Sequence, residues 1–225
     1  LFRSLLEHPK PPISTVNKNV TKIKFLEKKN KLITGGSWTN IFVWDSETGK
    51  MESSIPIDEV GWTSNFIINE HANLIAFTGN YSNICVFDLD TYKKKFTFIS
   101  KSDPSCPLYP SFCFSGDGTR LLAQKDELVQ IWDTQTGSQL YEFISAERFV
   151  FRNNTTLLPY VEKQMEYLDL NSGEFSKMAE LSVYNYIQEI CYDTGKIYTL
   201  IVEHENRADY VQILEYDIEK FNFLR

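Results

Sequence analysis

The sequence predicts an all-β chain assembled by repetition of one four-stranded antiparallel unit. Three observations lead there. Five apolar stretches stop at an aspartate: IFVWD at Ile41–Asp45, ICVFD at Ile84–Asp88, VQIWD at Val129–Asp133, MEYLD at Met165–Asp169 and ILEYD at Ile213–Asp217. These aspartates are 43, 45, 36 and 48 residues apart, the period of a repeated supersecondary unit. Gly49, Gly137 and Gly173 each lie four residues past such an aspartate and follow Thr48, Thr136 and Ser172. Glycine supplies the positive φ a tight turn requires, and the preceding hydroxyl bonds the local backbone. Aromatic residues make up 14% of the chain, mostly Phe and Tyr, which suits pleated, half-buried surfaces.

Each unit reads as a strand, a short polar turn, a second strand, a loop, the Asp-ended strand, a turn and a fourth strand. The first (20–56) has Val20–Leu26, Lys31–Thr34, Ile41–Asp45 and about Met51–Pro56. The second (64–100) has Phe66–Asn69, Leu74–Thr78, Ile84–Asp88 and Phe96–Ile99. The third (109–145) has Ser111–Phe114, Leu121–Gln124, Val129–Asp133 and Gln139–Ile144. The fourth (148–181) has Arg148–Arg152, Leu157–Val161, Met165–Asp169 and Phe175–Leu181. The fifth (187–225) has Glu189–Tyr192, Ile197–Val202, Val211–Asp217 and Phe221–Leu224, with a long loop between His204 and Tyr210. Tyr92 and Phe221 stand where the turn glycine falls in the other units, so a different turn is expected there. Residues 1–19 form an N-terminal segment. Leu1–Leu6, followed by Glu7-His8-Pro9, reads as the last strand of a preceding unit, and Leu1–Glu7 is the one stretch with helical amphipathicity.

Composition excludes several classes. A net charge of −7 argues against general affinity for phosphate backbones. No apolar run approaches the roughly 18 residues of a membrane span, and no secretory signal is visible. Absence of an initial Met reads as a piece of a longer chain. Cys85, Cys106, Cys113 and Cys191 show neither close pairs nor metal spacing, so reduced thiols and a cytoplasmic or nuclear setting are expected. The sequons at Asn19, Asn80, Asn153 and Asn154 are expected to stay unmodified. His8, His71 and His204 are far apart in sequence, and no nucleophile elbow, phosphate-cradling loop or His/Cys cluster occurs. Ser115–Thr119 reads as a β-turn. The strand-ending aspartates are expected to hold the turns that follow them. No catalysis, cofactor or metal is expected.

These features resemble the WD40 repeat family of β-propellers. The resemblance rests on Trp44-Asp45 and Trp132-Asp133, the variants Phe87-Asp88, Leu168-Asp169 and Tyr216-Asp217, the glycine turns, and Phe114-Ser115-Gly116-Asp117-Gly118 before Leu121-Leu122. It covers about Val20 to Arg225 and is most specific in the third repeat. It implies a β-propeller of four-stranded antiparallel blades, with about five WD40-like blades in this chain. Because propellers of this family usually close with seven blades, the chain is expected to be part of a larger one. The family's Gly-His pair before the first strand is missing from every unit. The buried polar network that uses that His is therefore expected to be absent, with apolar packing holding the blades together.

The resemblance also sorts the loops onto two ends. The top end would carry Trp38, Trp62, Tyr81, Tyr109, Tyr184 and Arg207, with Asp58, Glu59, Asp126 and Glu127 nearby. Aromatic and Arg side chains dominate binding hot spots, so this set points to a scaffold that binds other proteins or peptide segments, basic ones in particular. The bottom end would carry Lys28, Lys29, Lys50, Lys93, Lys94 and Lys95. That patch supports the alternative of a nucleic-acid or ribonucleoprotein-associated subunit, although lysine near strand edges also serves solvation and edge protection.

Overall fold

A computed structural model describes residues 20–36, 39–57, 63–79, 83–98, 111–159, 161–191, 196–205 and 208–217. Apart from a 3-10 turn at Glu27–Lys29, every element in these ranges is a strand, and all paired strands are antiparallel. Residues 1–110 and 111–225 form two compact units.

In the first unit, β1 (Val20–Leu26), β2 (Lys31–Gly36), β3 (Asn40–Asp45) and β4 (Met51–Pro56) make sheet A in that order. Sheet B is β5 (Thr63–Asn69), β6 (Leu74–Gly79), β7 (Ile84–Asp88) and β8 (Lys94–Phe98), again in order. One aliphatic face of sheet A, with Leu26, Ile33, Ile41, Val43 and Ile55, packs on Phe66, Ile75, Phe77, Cys85 and Phe87 of sheet B. Burial of side chains this size contributes about 1.5–3 kcal/mol each and supplies the main drive for stacking the sheets. Gly35 permits the close approach of β5, since a Cβ there would come within 2.8 Å of Ile41 Cδ1 and 3.1 Å of Phe66 Cδ1.

The second unit repeats this design. β9 (Ser111–Phe114), β10 (Arg120–Lys125), β11 (Leu128–Asp133) and β12 (Gln139–Ile144) form sheet C. Its Leu122, Val129 and Ile131 pack on Phe149, Phe151, Leu157 and Leu168 of sheet D. Registers make the two stackings equivalent. Ile33 faces Val43 across β2–β3 as Leu122 faces Ile131 across β10–β11, and Leu74 and Arg120 lie opposite the strand-ending Asp88 and Asp133. A register shift falls just before the aspartate in three sheets, between Val43 and Trp44, Val86 and Phe87, and Ile131 and Trp132. Such a bulge bends the outer strand at one fixed position of the repeat.

Sheet D departs from the expected plan. It has six strands in order: β13 (Phe149–Phe151), β14 (Thr156–Pro159), β15 (Val161–Asp169), β16 (Phe175–Cys191), β17 (Lys196–Glu205) and β18 (Ala208–Asp217). The fourth and fifth stretches of sequence thus share one sheet, joined by the 17-residue β16. Phe175–Cys191 contains neither Gly nor Pro to interrupt a strand, but Ser145–Arg148 between sheets C and D contains none either, so the merger rests on β15 and β17 pairing along β16. The long loop expected between His204 and Tyr210 is largely strand as well, since His204 pairs with Asp209 and Glu203 with Tyr210.

Candidate interaction surfaces

The β3–β4, β7–β8, β11–β12 and β15–β16 turns are four copies of one structure. In each, the strand-ending aspartate N–H donates across the turn, to the carbonyl of Lys50, Lys93, Ser138 or Glu174, at 2.9–3.0 Å. The residue four places on returns an N–H to the aspartate carbonyl at 2.8–2.9 Å. That residue has positive φ: 67° at Gly49, 75° at Gly137, 73° at Gly173, and also 54° at Tyr92. The different turn expected at Tyr92 is not found. The side-chain cage explains why. Asp88 Oδ1 accepts from Asp90 N–H at 3.1 Å and from Thr91 N–H and Oγ1 at 2.8 Å, which commits the chain before Tyr92 is reached. The left-handed strain, about 1–2 kcal/mol for a residue with a Cβ, is offset by packing of the half-buried Tyr92 on the sheet A/B core.

Asp133 is held in the same way, accepting from Gln135 N–H at 2.8 Å, Thr136 N–H at 2.7 Å and Thr136 Oγ1 at 3.0 Å. Asp45 takes both bonds from Thr48, and Asp169 takes the N–H groups of Asn171 and Ser172. The Thr48 hydroxyl and N–H bonds hold Asp45 below the usual carboxylate range, and the Thr91 and Thr136 N–H groups do the same for Asp88 and Asp133. These aspartates work as turn clamps. Asp117 clamps the β9–β10 turn likewise. Burial pushes it upward, but bonds from Thr119, Ser115 and Asn154 together hold it lowered.

The lysine-rich end of the first unit is built from these turns. Ser46 N–H donates to Asn30 O at 3.0 Å and Leu89 N–H to Asn73 O at 2.9 Å, so the two turns of each sheet sit side by side. Lys29 crosses from sheet A to bond Asp90 and, at 2.8 Å, Asn73 Oδ1. Lys28, Lys50, Lys93, Lys94 and Lys95 are exposed, interleaved in the same turns with Glu27, Asp45, Glu47, Asp88 and Asp90. The patch is therefore mixed in sign, and Lys29 is a strut between sheets.

At the opposite end, Ile57 N–H donates to Thr39 O at 2.8 Å and Ser145 N–H to Glu127 O at 2.7 Å, so the loops sorted to the top do share an end within each sheet. Trp38, Trp62, Tyr81, Tyr109 and Arg207 lie outside the described residues, as do Asp58 and Glu59. Tyr184 lies on β16, its side chain also outside the described set. Asp126 and Glu127 are exposed in the β10–β11 turn.

Two polar links were not anticipated from the sequence. Trp44 Nε1 donates to Thr34 Oγ1 at 2.9 Å in a fully buried site, so a buried polar contact does supplement apolar packing in sheet A. In the second unit, Gln124, 3% exposed, donates Nε2 to the carbonyls of Ser145 and Glu147 and accepts Phe149 N–H on Oε1 at 3.2 Å. That one amide ties sheet C to the start of sheet D. A polar residue ending an apolar strand was the only sequence signal for it.

Cys85 and Cys113 are thiols outside any disulfide, and burial pushes Cys113 up to about 12. Asn153 Oδ1 and Asn154 Nδ2, both in sequons, are engaged in the β13–β14 turn and with Asp117. His71 is exposed in the β5–β6 turn. Among the described residues, no His/Cys/Asp/Glu group is placed to hold a metal, and no helix is long and apolar enough to cross a membrane. No protein-family model matches the chain, and no curated protein is significantly similar to it.

Proposed function

We propose that this chain is a non-catalytic scaffold of the WD40-like β-propeller type, which binds other proteins or peptide segments through its top-end loops within a multiprotein complex. The observation that carries this reading is the repeated stacking rule. Sheet B meets sheet A with the face that includes Phe66, Phe77 and Phe87, and sheet D meets sheet C with the equivalent Phe149, Leu157 and Leu168. In sheet A the equivalent face holds Ile23, Phe25 and Trp44. Trp44 is buried, but Ile23 and Phe25 are 56% and 49% exposed, where one more blade would pack. Sheets that each offer two apolar faces are components of a closed stack, because an open stack would leave such faces in water.

Scaffolding follows from the chemistry present. The repeated geometry of the aspartate turns is structural, with Oδ1 of each carboxylate bonded by N–H groups and, at Asp45, Asp88 and Asp133, by a hydroxyl group of its own turn. Carboxylates interleaved with the lysines weaken the positive potential that phosphate binding needs, which favours protein partners over nucleic acid. Cys85 and Cys113, both thiols outside any disulfide, support a cytoplasmic or nuclear setting. The test is affinity capture with the full-length protein from its native cells, comparing wild type with the Trp38→Ala/Trp62→Ala double variant at low and moderate salt. Partners lost from a stably folded variant, yet retained in salt, support the proposal. Partners indifferent to the variant but stripped by salt along with RNA would move function to the lysine-rich end.

A further inference from the structure

Sheets A and B are tied at their turn end by a contact whose acceptor half recurs, unfilled, in sheet A. Asn73, at the end of the β5–β6 turn, has a left-handed backbone with φ 56°. Its carbonyl accepts Leu89 N–H at 2.9 Å, and its Nδ2 donates to Asp90 Oδ2 at 2.9 Å. Asn73 Oδ1 and Asp90 Oδ1 together receive the ammonium of Lys29, which reaches across from the β1–β2 turn of sheet A. A cation of one sheet thus sits on an amide and a carboxylate of the next. Sheet A carries the same acceptor pair. Asn30 is also left-handed, with φ 50°; its carbonyl accepts Ser46 N–H at 3.0 Å, and its Nδ2 donates to Glu47 Oε1 at 3.2 Å. Glu47 follows Asp45 by two residues as Asp90 follows Asp88. Register equates the two sites, because Lys31 lies opposite Asp45 as Leu74 lies opposite Asp88. Asn30 and Glu47 are exposed, and among the described residues no cation meets either of them. On β1, the exposed Ile23 and Phe25 hold the places of Phe66 and Ile68 on β5, which pack on sheet A.

We propose that Asn30 Oδ1 and the Glu47 carboxylate form a seat for a lysine ammonium carried in the first turn of an adjoining β-sheet, whose aliphatic face covers Ile23 and Phe25. That lysine would repeat the Lys29 contact, giving one N–H to the amide oxygen and its charge to the carboxylate. Charge-assisted contacts of this kind set the register and choice of partner more than they add affinity. A second copy of this chain does not supply the lysine. The residue before the turn carbonyl that accepts is Lys29 in sheet A, Ala72 in sheet B, Gly118 in sheet C and Asn154 in sheet D. Only the first is a base, and the aliphatic face beside it is already taken by sheet B. The occupant is therefore a sheet from outside these 225 residues. The inference rests on the closed-stack reading of sheet A and adds the chemistry by which the next blade is recognised.

The test is carbodiimide coupling of the native assembly, captured from the cells that make it. The reagent activates a carboxylate, an adjacent lysine amine displaces it as a urea, and an amide remains between the two side chains. The Lys29–Asp90 ion pair serves as internal standard. Mass spectrometry of the digest should find Glu47 joined to a lysine from outside this chain, in a segment that reads as a turn between two strands. Glu47→Gln, at an exposed position, should remove that link and keep the Lys29–Asp90 one. Carbene labelling of Ile23 and Phe25 should be several-fold lower in the assembly than in the 225-residue chain alone. Glu47 left uncoupled while the standard forms overturns the proposal, as does coupling only to lysines of this chain, its second copy included. If Ile23 and Phe25 are nonetheless protected, the closed stack survives and only the lysine seat fails; if they label equally, both fail.

Discussion

Gln124 offers the sharpest test of how the second unit is held together. Replacing it with Met keeps chain length and approximate volume, so the loss is confined to hydrogen bonding. Phe149 N–H would be stranded in a core where Phe149 is 1% exposed. The carbonyls of Ser145 and Glu147 lie in a half-buried to exposed link and can turn to water. One orphaned buried donor, plus a little for the carbonyls, amounts to about 2–3 kcal/mol. Gln124→Glu adds a pH signature. A carboxylate there faces two carbonyl oxygens in a buried site, so its folded pKa must rise above that of the unfolded chain. The protonated acid can donate to a carbonyl and accept Phe149 N–H; the anion is repelled. With a raised folded pKa, stability is greatest below the unfolded value and falls as pH rises through the folded one. Urea titrations at about pH 5 and about pH 8, with exchange of the Phe149 amide as local probe, should therefore show Gln124→Glu nearer to wild type at the lower pH. A loss under about 0.5 kcal/mol for Gln124→Met, within the scatter of ordinary surface changes, would refute the reasoning. An equal deficit for Gln124→Glu at both pH values would do so as well.

Further outcomes follow from other contacts. Asp45, Asp88 and Asp133 have lowered folded pKa values, so their contribution is complete above the unfolded carboxyl pKa and drains away as pH falls through the folded ones. A triple Asp→Asn variant should consequently flatten the acid limb of the stability curve below about pH 4, measured by thermal melts across pH. Trp132→Ala, at a side chain 5% exposed, should cost about 3–5 kcal/mol by urea denaturation; a near-neutral result would mean the ring is not core. Trp44→Phe should lose about 1 kcal/mol through the Thr34 bond, and combining it with Thr34→Val should recover part of that. Cys113, with its thiol pushed to about 12, should have a thiolate fraction on the order of 10⁻⁴ at pH 8. Peptide-resolved iodoacetamide labelling of the native protein should accordingly leave it unmodified.

The turn clamps were legible in the sequence because everything they require lies within six residues: an aspartate, a Thr or Ser three places on, and a residue able to take positive φ. The period of those clamps in turn located the strands of sheets A, B and C. Tyr92 shows where that reading stops. The Asp88 clamp sets its left-handed backbone, but the strain is offset by a ring packed against the core of the first unit, a contact that no local rule registers. In the merged sheet D, Phe175–Cys191 has no breaker, but the ladder continues only because β15 and β17 pair along it, which is a long-range event. Gln124 is tertiary in the same sense, since it needs carbonyls more than twenty residues away. The sequence by itself determined the repeat, its turns and its apolar faces, since these arise from interactions between near neighbours. Which polar groups meet and which faces are covered were decided only when distant segments came together.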